Sequence, residues 1–180
     1  MGKRTKQSFE KKPHDYYATI DPEAVKPLLP FIRGYNVAEV CAGNGDLSML
    51  LEPDAQVVWE SDIEPKNKHI VKLDALDILD FGDEVDLIVT NPPFTWSALQ
   101  PLLDHLPNLA PTWLLLPADV MHNVRMGPYM KKCSYIVSVG RLYWMENKVK
   151  GVDNYCWFNF TDTEVTTEFY GRNWDSAGWS

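Results

Sequence analysis

Residues 36–51 read NVAEVCAGNGDLSMLL, and this stretch decides the fold. Asn36 to Cys41 is a short apolar run of strand character, which Ala42-Gly43-Asn44-Gly45 ends in a tight turn. Asp46 to Leu51 then reads as a helix. Two glycines after a strand let the backbone turn sharply and approach a ligand with no Cβ in the way. Position 48 is serine, so the stretch is not the GxGxxG loop that cradles a dinucleotide.

The same alternation continues on both sides. Upstream, Asp21-Pro22-Glu23 is a helix-start signal, and Pro27 and Pro30 keep the following helix short. Downstream, Gln56 to Trp59 is a second strand ended by Glu60-Ser61-Asp62, and a weak third stretch precedes Asp74-Ala75-Leu76. Val85 to Thr90 is the clearest buried strand, stopped by Asn91-Pro92-Pro93-Phe94. Residues 97–106 carry apolar side chains at helical spacing, and Thr112 to Leu116 is another buried strand. Apolar runs follow at 135–139 and 142–144, then a long aromatic-rich strand at 154–161. Strands alternating with helices predict a three-layer α/β domain over residues 13–170 with a mostly parallel central sheet. The 154–161 strand is expected antiparallel, at or near one side of that sheet. Residues 1–12 read as a flexible basic arm and 171–180 as a C-terminal tail.

The chain has 180 residues, enough for one domain. Its 17 Lys and Arg stand against 25 Asp and Glu, a net charge of −8. Five of the cations (Lys3, Arg4, Lys6, Lys11, Lys12) fall within the first twelve residues, against Glu10 alone. The rest of the chain carries 12 cations and 24 acids, and so acidic a body opposes binding to phosphate backbones. No stretch approaches 18 apolar residues, so no membrane span is expected. Cys41, Cys133 and Cys156 form neither a metal-ligand spacing nor a disulfide framework, and the four histidines show no ligand spacing. A cytoplasmic protein without a bound metal is the expectation.

The residues with chemistry to offer all fall at strand ends. Asp62, seventeen positions after Gly45, can accept hydrogen bonds from both hydroxyls of a ribose. Asp74 can accept the exocyclic amine of an adenine ring, although with Asp77 and Asp80 it also fits a plain acidic loop. Asn91-Pro92-Pro93-Phe94 is the most specific signal. Its two prolines fix two φ angles and remove two donors, which leaves a rigid loop rich in acceptors. Phe94 adds a flat apolar face, so the loop can hold an amino group attached to a planar π-system. Trp96 and the aromatic stretch 143–158 are further candidates for a base-stacking wall, with ordinary packing as the alternative.

Taken in order, these motifs resemble the class I S-adenosylmethionine-dependent methyltransferases, and within them the N6-adenine DNA methyltransferases of the small phage type. The resemblance covers residues 14–120 and implies a Rossmann-like methyltransferase fold. AEVCAGNGD (38–46) matches the family's first cofactor loop, which implies contacts from Glu39, Ala42, Gly43 and Gly45. Asp62, Asp74 and Ala75 match the acid and adenine positions after the second and third strands. Asp15-Tyr-Tyr-Ala-Thr19 resembles the segment that closes over the cofactor's methionine end, through Tyr17 and Thr19. Asn91, Pro92, Pro93 and Phe94 match the catalytic motif, with Asn91 also bordering the cofactor. The implied cofactor is S-adenosylmethionine and the implied partner is DNA. A protein glutamine amide, an RNA adenine, or a catalytically silent cofactor-binding subunit are the alternatives, because a glutamine amide also presents a planar NH2. No recognisable target-recognition domain follows the core.

Overall fold

A computed structural model describes residues 17–144 and 146–172. The basic arm at 1–12, Asp15 of the closing segment and residues 173–180 of the tail lie outside the described residues. Eight strands form one sheet: β1 (Asn36–Glu39), β2 (Gln56–Asp62), β3 (Val71–Lys72), β4 (Leu87–Thr90), β5 (Thr112–Pro117), β6 (Cys133–Gly140), β7 (Tyr155–Phe160) and β8 (Glu168–Tyr170). Their order is β3-β2-β1-β4-β5-β7-β6-β8. Pairing is parallel throughout except at β7, which runs antiparallel to both neighbours.

Helices α1 (Leu29–Ile32), α2 (Asp46–Leu51), α3 (Trp96–His105) and α4 (Gly127–Met130) complete the layers. On one face, Leu28, Ile32, Leu47 and Leu51 pack against Val37, Val89, Leu115 and Trp157. On the other, α3 sets Leu99 and Leu103 against Leu114, Leu116 and Phe158, and Leu102, with Leu106 just past the helix end, packs with Ala38, Val40 and Ile88. Consecutive residues of β5 thus point to opposite layers, as a strand period of two requires. A sheet covered on both faces accounts for the near-continuous apolar strands of the sequence.

Asp21 caps a 3-10 turn (Pro22–Ala24) by accepting from the Glu23 amide at 3.1 Å, as its sequence context implies. Three features differ from expectation. The antiparallel strand β7 is interior, with β6 and β8 beyond it, and all six of its residues are buried. Residues 142–144 are not a strand; Tyr143 N instead donates to Asp21 Oδ2 at 3.3 Å, which ties this segment to the start of the domain. Strand β8, only three residues long and largely exposed, has too little apolar pattern to be read in advance.

Candidate active site

The site forms along the carboxyl ends of β1, β2 and β4, where the chain leaves the sheet. After β1 the backbone turns through Gly43 (φ 56°) and Gly45 (φ 88°) into α2. These left-handed conformations are what favour glycine here. A Cβ at Gly45 would only make ordinary contact, 3.4 Å from Glu60 Oε1. Asp62, at the end of β2, locks the turn: Oδ2 accepts from Gly43 N at 2.9 Å and Oδ1 from Glu64 N at 2.7 Å. A carboxylate has about four acceptor positions, so Asp62 keeps capacity for further donors. Asp74 Oδ1 accepts from Leu76 N at 3.0 Å and opens a 3-10 turn at Ala75–Asp77.

Glu39 is the buried carboxyl of the site, 1% exposed. Its Oε1 accepts from the Thr90 hydroxyl and from Cys41 N at 3.1 Å. Burial outweighs both bonds and pushes the carboxyl up from 4.5 to about 8. The side chain is therefore mostly protonated at neutral pH.

Across the cleft, β4 ends at Thr90 and delivers Asn91. The Asn91 Nδ2 donates to the Tyr17 carbonyl at 2.8 Å and to Thr19 Oγ1 at 3.0 Å. Its Oδ1 is buried and has no hydrogen-bond partner among the described residues. Pro92 is buried and Pro93 half-buried behind it. Phe94 meets Tyr17 in a stacked pair (centroids 5.3 Å, planes 17° apart) and Tyr155 at 5.9 Å. Trp144 closes the group against Tyr17 at 5.7 Å and Tyr155 at 4.9 Å. Four rings from four segments thus cluster beside Asn91. Trp96 instead packs against Tyr129 at 6.1 Å and under Arg125 at 5.8 Å.

A cleft of about 640 Å³ joins these parts. Of the residues anticipated from sequence, Tyr17, Thr19, Glu39, Ala42, Asp62, Asp74, Ala75, Asn91 and Pro93 line it. Gly43 and Gly45 shape the turn after β1, Pro92 is buried next to Asn91 without lining the cleft, and Phe94 stands among the rings. The structure adds Lys66 and the α3 residues Ser97, Ala98 and Leu102. The α3 residues follow the Asn-Pro-Pro-Phe loop directly, a position that marks them as wall once the loop is taken as the site. Among the described residues no group of three His, Cys, Asp or Glu can hold a metal ion. No described helix is long and apolar enough to cross a membrane.

No protein-family model and no curated protein matches the chain. Solved structures do. A protein from Pyrococcus horikoshii proposed to be an RNA methyltransferase aligns with a TM-score of 0.52 and 18% identity, over 81% of this chain and 82% of that one. A dimethyladenosine transferase from Plasmodium falciparum aligns with a TM-score of 0.50 and 16% identity, over 77% and 59%. A chain from a type I R-M system aligns with a TM-score of 0.55 and 12% identity, over 83% and 43%. At these identities the likeness is one of architecture: the chain has the Rossmann-like fold of the methyltransferases.

Proposed function

We propose that the protein is an S-adenosylmethionine-dependent methyltransferase whose acceptor is the exocyclic N6 amine of adenine in DNA. The observation that carries this is Asn91. Its amide nitrogen is spent on Tyr17 and Thr19, while Oδ1 is buried beside the cleft without a donor. A buried acceptor with no partner costs free energy, so the site calls for an N–H to be brought to it.

The cofactor fits the residues present. A cleft of about 640 Å³ is within the range of sites for molecules of this size. Asp62 has acceptor positions left for two ribose hydroxyls, and Asp74 has an oxygen left for the adenine amine. Glu39, buried and mostly protonated, lines the same cleft as Tyr17 and Thr19 and would be the carboxyl available to the cofactor's ammonium. S-adenosylmethionine supplies a methyl group on a sulfonium, an electrophile that the chain itself lacks.

The chain's own part concerns the amine. The lone pair of an adenine amine is conjugated into the ring, which makes the nitrogen a poor nucleophile. Accepting its two N–H groups at Asn91 Oδ1 and the Pro92 carbonyl favours a pyramidal nitrogen and frees the lone pair. Both acceptors sit on a double-proline loop, so little reorganisation remains when the substrate arrives. Phe94 would offer a planar base a ring face where the Tyr17 ring, which stacks on it here, moves aside. A duplex must first release that base from its stack.

RNA adenine is the second reading. Two structural neighbours bear RNA or dimethyladenosine names, while the acidic body opposes either phosphate backbone. Methyl-labelled S-adenosylmethionine, incubated separately with DNA, RNA and cell protein, tests the proposal. Labelled N6-methyladenine in DNA supports it. Label confined to RNA moves the function to the second reading, and label on glutamine overturns both.

A further inference from the structure

We propose that Thr19 is a positioning residue for Asn91, acting with the Tyr17 carbonyl as a clamp that presents the catalytic oxygen. The inference rests on the methyltransferase reading above and assigns Thr19 a task beyond bordering the cofactor.

An asparagine amide has two orientations, related by a half-turn, that exchange its oxygen and nitrogen. The Tyr17 carbonyl is an acceptor only, so it takes Nδ2 and would repel Oδ1. It therefore selects the orientation. A single bond leaves the amide free to tilt about it. The second bond, from Nδ2 to Thr19 Oγ1, defines the amide plane and uses the remaining proton. Thr19 is 4% exposed, so water does not readily replace its hydroxyl. The result is an Oδ1 held in one place with nothing bonded to it.

The clamp is itself anchored. Ile20 N donates to the Ala18 carbonyl at 3.0 Å. Two residues beyond Thr19, Asp21 is bonded to the amides of Glu23 and Tyr143. On the other side, the Tyr17 ring rests on Phe94. Tyr17, Ala18 and Thr19 also line the cleft, so the segment that orients the acceptor oxygen is the one that a cofactor touches.

Thr19→Val keeps the shape and removes the oxygen, and Thr19→Ser restores it. In the valine variant kcat is expected to fall about 10- to 100-fold, the scale of a misplaced reacting group. Measured at saturating cofactor, the loss of kcat should exceed any rise in cofactor Kd by at least about tenfold, the KM for the methyl-accepting polymer should stay within about twofold, and the serine variant should stay within about threefold of wild-type kcat. A cofactor Kd that rises in step with the loss of kcat, or a serine variant as slow as the valine one, would overturn the clamp. The kcat comparison holds for whichever polymer is labelled, so a wrong substrate class leaves it intact. Exchange of the Asn91 side-chain amide protons, followed by NMR, needs no turnover. It should be slow in wild type and the serine variant and at least about tenfold faster in the valine variant. Equal rates in all three overturn the proposal.

Discussion

Glu39→Gln is the sharpest test of the electrostatics of the site. A protonated glutamic acid and a glutamine have nearly the same shape, and either can accept the Thr90 hydroxyl and Cys41 amide bonds at one oxygen. In the unfolded chain the carboxyl ionises near 4.5, and in the folded protein near 8. The folded state therefore holds a proton that the unfolded state releases across this window. Stability from this group is complete below pH 4.5 and is lost as pH rises to about 8. Each pH unit is worth about 1.4 kcal/mol, so at pH 7 the wild type has given up about 3 kcal/mol that glutamine does not. Urea unfolding of both proteins at pH 5 and pH 7 measures this. The variant should be about 1 kcal/mol more stable than wild type at pH 5 and about 3 kcal/mol more stable at pH 7. An advantage that does not change with pH would refute the buried, protonated carboxyl. The same substitution should weaken S-adenosylmethionine binding, because the neutral amide cannot ionise opposite an ammonium. Wild-type binding at pH 7 should release protons to the buffer, and variant binding should release fewer.

Asn91→Ala should lower methyl transfer at least about 100-fold while calorimetry finds cofactor affinity little changed, because its lost oxygen serves the amine. Asp62→Ala removes two backbone bonds together with the expected ribose acceptors. It should cost about 1–3 kcal/mol in urea unfolding and weaken the cofactor at least about tenfold by calorimetry. Trp157→Phe removes the bond from Nε1 to the Ala24 carbonyl (2.7 Å, buried) and should destabilise by about 2 kcal/mol in thermal or urea unfolding. Deleting residues 2–12 removes five cations and should flatten the salt dependence of nucleic-acid binding, read as a shallower slope of log K against log salt.

The strand–turn–helix at 36–51 was legible because the positive φ values found at Gly43 and Gly45 strongly favour glycine. Asn91-Pro92-Pro93-Phe94 was legible as an acceptor loop because proline constrains its neighbours whatever the tertiary context. The interior place of β7 was written in YCWFNF, which is apolar on both faces with one exception, yet pairing partners are not readable from one strand. The bond between Thr19 and Asn91 spans 72 residues and leaves no local pattern. The raised carboxyl of Glu39 is equally invisible, since it depends on how completely the finished sheet and the Thr90 side chain enclose it. Trp96 shows the converse: its aromatic ring placed it among candidate stacking residues, but α3 turns it toward Tyr129 and Arg125.

The interior position of β7 constrains how the chain is assembled on a ribosome. Strands β1 to β5 are all made before residue 118, yet β5 has no second partner until residues 155–160 emerge. Until then Leu114, Leu115 and Leu116, fully buried in the finished protein, border an unpaired strand edge. Such an edge recruits other chains as readily as its own missing strand. The last long strand also supplies Trp157, whose indole closes on Ala24 at the opposite end of the sequence. Completion is thus held back until nearly all of the polypeptide has been synthesised, and nascent chains stalled before residue 155 are the species most exposed to aggregation.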